Sequence, residues 1–229
     1  MSKGNFFDSP LYTITNYIYY FLMTNLIFVF TNILFFILLL FGTPGFLTYL
    51  LLFITAIPLG PSFAAILSVM HKLLRQKELS VAKDYFSAFK QNFKQAIKIW
   101  LFQLVAVTVL LVDLNSTHQN AGFAILYPFF LVAFALVVLL GLHAFPILTR
   151  FYMKTTDIIK TSFYFTIRKF NITILNLSII VVVFFLIKYL KMIGILFFAS
   201  VIAYLIMFYE KDILAQLEEK INSNSDNTK

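Results

Sequence analysis

The chain has no cysteine among its 229 residues. Disulfides, thiolate nucleophiles and cysteine-ligated metal sites are therefore excluded. Charge is scarce as well. Asp, Glu, Lys and Arg make up 12% of the sequence, against about 25% in a water-soluble domain. So few charges cannot cover a water-facing surface, and the bilayer has to be the solvent for most of the chain. Acids are the rarer sign, 10 against 18 Lys and Arg. The three histidines, His71, His118 and His143, fall in different segments with no i, i+4 partner, so no metal site is expected. No glycine-rich phosphate loop or Walker-type motif occurs. The reading is of a protein that is not an enzyme, with no catalytic residues and no cofactor.

What is abundant is apolar sequence, 61% of the residues. It falls into runs at about 18–41, 46–70, 97–114, 123–148, 170–190 and 192–209. Each is close to or beyond the roughly 20 helical residues that cross about 30 Å of hydrocarbon. The expected fold is all-α: one polytopic integral membrane helix bundle over 1–209, with about six transmembrane helices and amphipathic cytoplasmic helices. A tail at 210–229 is expected to be helical and then disordered. The N-terminus lacks the features of a cleavable signal and is read as an uncleaved anchor. Ser9 is its expected helix cap and Pro10 its first helical residue.

The second run is interrupted by Pro58, Gly60 and Pro61. Proline removes a backbone donor and disfavours helix in the residue before it. A helix to about Ile57, a break at Pro58–Pro61 and a new helix from Ser62 are predicted. Small residues on that second helix, Ser62, Ala64, Ala65 and Ser68, allow close helix approach in lipid. The break is either a kink held by neighbouring helices or a site of the kind built by discontinuous spans.

Two polar segments are strongly basic. Residues 71–98 hold seven Lys and Arg, and 149–169 hold five. By the positive-inside rule both lie on the cytoplasmic side, with the uncharged-to-acidic loop at 113–122 opposite and both termini cytoplasmic. Lys188 and Lys191 dissent, being near the expected outer turn between runs five and six. Those two runs are read as full spans or as a re-entrant hairpin. The same rule accounts for the net charge of +8, so no nucleic acid is expected as a partner.

Residues 81–98 read as an amphipathic helix. At about 100° per residue, Ala82, Tyr85, Phe86, Phe89, Phe93 and Ile97 share one face, with Lys83, Lys90, Lys94 and Lys98 beside it. Such a helix lies in the headgroup plane, docks on a partner subunit, or packs on the protein's own spans. Asp84–Trp100 and Asp157–Leu175 have a similar order of features, a weak sign of duplication. Lys83, Lys90, Lys94 and Arg150 are the candidates for lipid or partner contact. His143, Gln103 and Asn32 are the intramembrane polar candidates, for helix–helix hydrogen bonds or for function.

Three stretches resemble the YesL-like family of small bacterial membrane proteins, whose domain has no assigned function. They are Gly60-Pro61-Ser62-Phe63-Ala64-Ala65, Asn92-Phe93-Lys94-Gln95-Ala96 and Phe145-Pro146-Ile147-Leu148-Thr149-Arg150-Phe151. The likeness runs from about Asn5 to Tyr209. It implies a multi-pass protein of the bacterial cytoplasmic membrane. Members are often encoded beside carbohydrate-uptake and glycan-degradation genes, which implies an accessory component of sugar uptake. The partners implied are membrane lipids, sugar-transporter subunits or a second copy of the chain. The alternatives are an autonomous small permease or channel with a site at the Pro58–Pro61 break, and a membrane-organising protein that binds anionic lipid.

Overall fold

The computed structural model describes residues 10–76, 79–119, 121–190 and 192–226. Ser9 and Lys191 lie outside them. The described chain is helical throughout, without strands: α1 (Pro10–Thr31), α2 (Ile33–Phe41), α3 (Phe46–Thr55), α4 (Leu59–Gln76), α5 (Val81–Gln119), α6 (Tyr127–Arg150), α7 (Thr155–Arg168), α8 (Phe170–Leu190) and α9 (Met192–Asp226), with a 3-10 stretch Ala121–Leu126 before α6.

The all-helical fold is as expected, with several helices apolar enough for a membrane. Among the described residues four helices are long and apolar enough to cross a membrane, or five if the bent pair Thr155–Arg168 and Phe170–Val183 counts as one span. Three boundaries differ from the sequence reading for identifiable reasons. The first run breaks at Asn32, between α1 and α2, where Asn32 Nδ2 donates to Phe28 O at 2.8 Å and competes with the helical ladder. The expected loop at 113–122 is mostly helix, because α5 continues to Gln119. Its hydroxyls are satisfied inside that helix: Ser116 donates to Val112 O at 2.9 Å and Thr117 to Asp113 O at 2.8 Å. The sixth run and the tail form one helix, α9, to Asp226, so the disorder expected from residue 222 is not found there; residues 227–229 lie outside the described region.

The second run is broken as expected, a few residues early. α3 ends at Thr55 and α4 begins at Leu59, so Gly60 and Pro61 lie in the first turn of α4. Pro61 is tolerated there because the first amides of a helix have no intrahelical acceptor. The first ladder bond, Ser62 N to Pro58 O, is 3.0 Å.

The buried core gathers at one end of the bundle. Ala64, Ala65, Ile66, Leu67 and Met70 of α4 pack with Tyr85 of α5, Phe145 and Ile147 of α6, Ile158 of α7 and Ile206 and Met207 of α9. Ala64, Ala65 and Ala203 have no exposed surface. In lipid such packing, rather than escape from water, holds helices together. The other end is splayed and apolar: Phe41 of α2, Phe46 of α3, Val112 of α5 and Phe129 of α6 are all exposed. The compact end is the basic end, since Arg150 Nη1 reaches His71 Nε2 at 3.0 Å and Gln95 donates to Met153 O at 2.6 Å. The two basic segments thus meet.

The three stretches that carry the family resemblance also meet here. Phe63 and Phe145 pack edge to face with centroids 5.3 Å apart, and Gln95 of the second stretch pins the turn after the third.

Candidate functional site

Three places in the fold concentrate polar chemistry. The first is the helix break. Ala56 O, which accepts Leu59 N–H at 3.1 Å, also accepts Trp100 Nε1–H at 2.7 Å. Gly60 lies directly against Trp100: a Cβ on Gly60 would collide with that residue's Cβ. The inner side of the break is therefore filled. On its other side Pro58 and Thr55 line a recess of about 150 Å³ together with Thr31, Asn32, Ile33, Leu34 and Phe35. Both helix breaks, at Asn32 and before Leu59, thus border one recess, and the buried Asn32 Oδ1 has no hydrogen-bond partner. Sequence reading singled out Asn32 and Pro58 separately; the fold joins them.

The second place is a buried polar cluster around His143. His143 and Glu210 side chains have no exposed surface, and Nδ1 stands 2.8 Å from Glu210 Oε1, outside hydrogen-bond geometry. Asn176 Nδ2 donates to the same Glu210 oxygen at 2.7 Å. His143 Nε2 lies 2.8 Å from Thr173 Oγ1. The Thr173 hydroxyl donates to Thr166 O at 3.1 Å or Lys169 O at 3.2 Å, so its oxygen is the acceptor for His143 Nε2–H. Those two carbonyls sit where α7 gives way to α8, a bend of 95°. The cluster therefore caps a helix corner. The sequence reading found no acid near His143, because Glu210 follows the last apolar run and looked like the start of a hydrated tail. The local sequence carries no signal for this pairing.

Gln103 is a packing residue of the same kind. Its Nε2 donates to Val137 O at 2.9 Å, and Gly141 leaves it room, since a Cβ there would collide with the Gln103 amide. Among the described residues no group of three or more His, Asp or Glu is placed to hold a metal ion.

The third place is the surface of the basic end. α5 is unbroken for 39 residues, so the amphipathic segment and the third span are one helix rather than two. Phe86 stands about 16 Å further along the axis than Ile97, at 1.5 Å per residue. The aromatic face expected as one stripe is divided. Tyr85 and Ala88 are buried against the core and Phe89 is half-buried, while Phe86 and Phe93 are exposed beside exposed Lys83, Lys90 and Lys94. α7 behaves otherwise. Bent 95° from α8, it buries Ile158, Ser162, Phe165 and Thr166 and exposes Phe163, Tyr164 and Ile167, with Phe170 exposed beyond its end.

Arg150 ends α6 at the same surface. Its fork is split: Nη2 donates to Glu218 Oε2 at 2.8 Å and Nη1 to His71 Nε2 at 3.0 Å. The hydrogen bond and the charge of Arg150 hold the Glu218 carboxyl below its ordinary range. Arg150 is thus not a free positive anchor.

Comparison with known proteins agrees with the resemblance read from the sequence. Residues 21–114 match the family model described as "Protein of unknown function, DUF624". That stretch includes the first two resemblance motifs and leaves Phe145–Phe151 outside. Over 175 residues the chain is 26% identical to the uncharacterized protein YteU of Bacillus subtilis (strain 168), covering 73% of this chain and 79% of that one. No solved structure matches. The chain is thus similar to the DUF624 family over residues 21–114 and to YteU over most of its length.

Proposed function

We propose that this protein is an accessory subunit of a membrane uptake system, and that the exposed Phe86–Phe93 and Lys83–Lys90–Lys94 stripe of α5 docks on an acidic partner surface. The observation that carries the reading is the continuity of α5. A helix lying in the headgroup plane must turn away from its span, as α7 does; the α5 segment continues in line with its own. Phe86 therefore stands off the hydrocarbon and Phe93, about 6 Å beyond Ile97, stands at its edge, where bare aromatic surface is best covered by protein. The adjacent lysines select an acidic partner and speed its encounter. The family resemblance points to carbohydrate uptake as the system. In this reading the basic end and both termini face the cytoplasm of a bacterial cell.

The test is capture from native membranes in mild detergent, comparing wild type with Lys83→Gln, Lys90→Gln, Lys94→Gln combined. Stoichiometric sugar-transporter subunits, released by salt and absent from the variant, are expected. A protein that comes out alone or only with itself contradicts the subunit role. Equal binding of both forms to neutral and anionic vesicles, with no protein partner, argues for neither docking nor lipid recognition by this stripe.

The recess shared by the two helix breaks favours a second reading, a small permease. Its test is solute flux in liposomes: sugar uptake by the reconstituted protein alone, reduced by Asn32→Leu, would support it.

A further inference from the structure

We propose that the basic end holds a binding site for a phosphate-bearing anion, in the recess between α4, α6 and α9, and that Glu218 occupies that site when it is empty. The recess has a volume of about 330 Å³ and is lined by Arg75, Arg150, Phe151, Glu218, Ile221 and Asn222. This is near the lower end of the roughly 300–1,000 Å³ range of small-molecule sites.

Arg150 is the fixed part. Its side chain is 18% exposed while that of Glu218 is 48% exposed, so the carboxylate is the partner that can leave. His71 accepts a hydrogen bond from Nη1 at 3.0 Å, which orients the guanidinium plane. An imidazole that accepts at Nε2 carries its proton on Nδ1 and is neutral, so His71 does not compensate the charge. Two guanidinium groups then face one carboxylate. With Glu218 swung away, Arg75 and Arg150 together offer two positive charges to a phosphate group, whether the monoanion of a lipid phosphodiester or the dianion of a soluble monoester. Guanidinium groups present planar, paired donors that match phosphate oxygens. Phe151 and Ile221 supply apolar wall for the organic part of such a ligand. Because Arg150 ends α6, one of the helices long and apolar enough to cross a membrane, the site would be at headgroup level, open to a phospholipid headgroup or to a soluble phosphate ester. This site does not depend on the α5 stripe.

The experiment follows the thermal unfolding midpoint of the full chain in detergent. One arm adds inorganic phosphate at constant ionic strength; the other adds phosphatidylglycerol to the micelles, with phosphatidylcholine as control. A rise of several degrees is expected with at least one probe. Arg75→Gln, a change at an exposed position, should abolish the rise. Glu218→Gln should reach half of it at about tenfold lower probe concentration, since the competing carboxylate is gone and the competent fraction is larger. A rise with phosphatidylglycerol alone assigns the site to a lipid headgroup; a rise with inorganic phosphate alone assigns it to a soluble ester. No rise in either wild type or Glu218→Gln, or an equal rise in Arg75→Gln, overturns the proposal.

Discussion

Two basic, aromatic segments flank the core, and they leave it differently. The first, at the start of α5, runs straight into its span. The second, α7, meets its span at 95°. In sequence they look alike: an acid, then aromatics spaced by lysines and arginines, then an Ile-rich apolar run. The difference is made elsewhere. At the α7–α8 corner the hydroxyl of Thr173 takes up carbonyls of the α7 end, and His143, Asn176 and Glu210 hold that hydroxyl and each other in place. α5 has no such device. Trp100 instead donates across to α4 and keeps the two helices in contact. A corner lays an amphipathic helix on the bilayer, and an unbroken helix carries it outward. In the function proposed above, the same composition thus serves as a lipid face in one case and as a docking face in the other.

The largest effect is expected at the corner. Glu210→Ala leaves the Asn176 amide without its acceptor in a buried site, a loss of about 1–3 kcal/mol for the unsatisfied group, and the cavity left by the side chain adds to it. Chemical unfolding in detergent measures it; a loss under about 1 kcal/mol would mean that the cluster does not hold the corner. Next comes Gln91→Pro at an exposed position in α5. A proline in a helix interior costs about 3 kcal/mol, and here it should also uncouple the stripe from its span. Circular dichroism should show lost helix, and partner capture should fail; capture that survives would separate docking from helix continuity.

Smaller effects separate the two faces. Phe163→Ser should weaken bilayer association of α7 by about 1–2 kcal/mol, given that a fully buried Phe is worth about 1.5–3, and should leave partner capture unchanged. Flotation with vesicles and the capture assay together read both. The smallest effect is acid-dependent. The Glu218 carboxyl is lowered by Arg150, so its contribution is present above the ordinary carboxylate range and fades as pH falls through its own, lower value. The wild-type midpoint should drop more than that of Glu218→Gln between neutral pH and pH about 3. Because Glu218 is half exposed, solvent screening keeps the difference small.

Much of the membrane architecture was legible in the sequence. The apolar runs and the proline break follow from composition alone. The corner was not, because residues around Lys169 resemble those around Lys98 and the deciding contacts come from α6 and α9. Glu210 was missed for the same reason. Its neighbours, Tyr209 on one side and Lys211 on the other, place it at an edge, and only the packing of α9 on α6 and α8 buries it. The division of the α5 aromatics was also hidden. Helical spacing gathers Tyr85, Phe86 and Phe89, but which of them faces the core depends on where α4 lies.

The absence of cysteine makes the central comparison directly measurable. A single cysteine placed at Phe86 or at Phe163, spin-labelled in liposomes, reports its depth through collision with oxygen, which partitions into lipid, and with a water-soluble nickel chelate. The account predicts that the label at 163 favours oxygen and that the label at 86 favours the chelate. Equal lipid exposure at both positions would contradict it, and would place the α5 stripe on the membrane rather than on a partner.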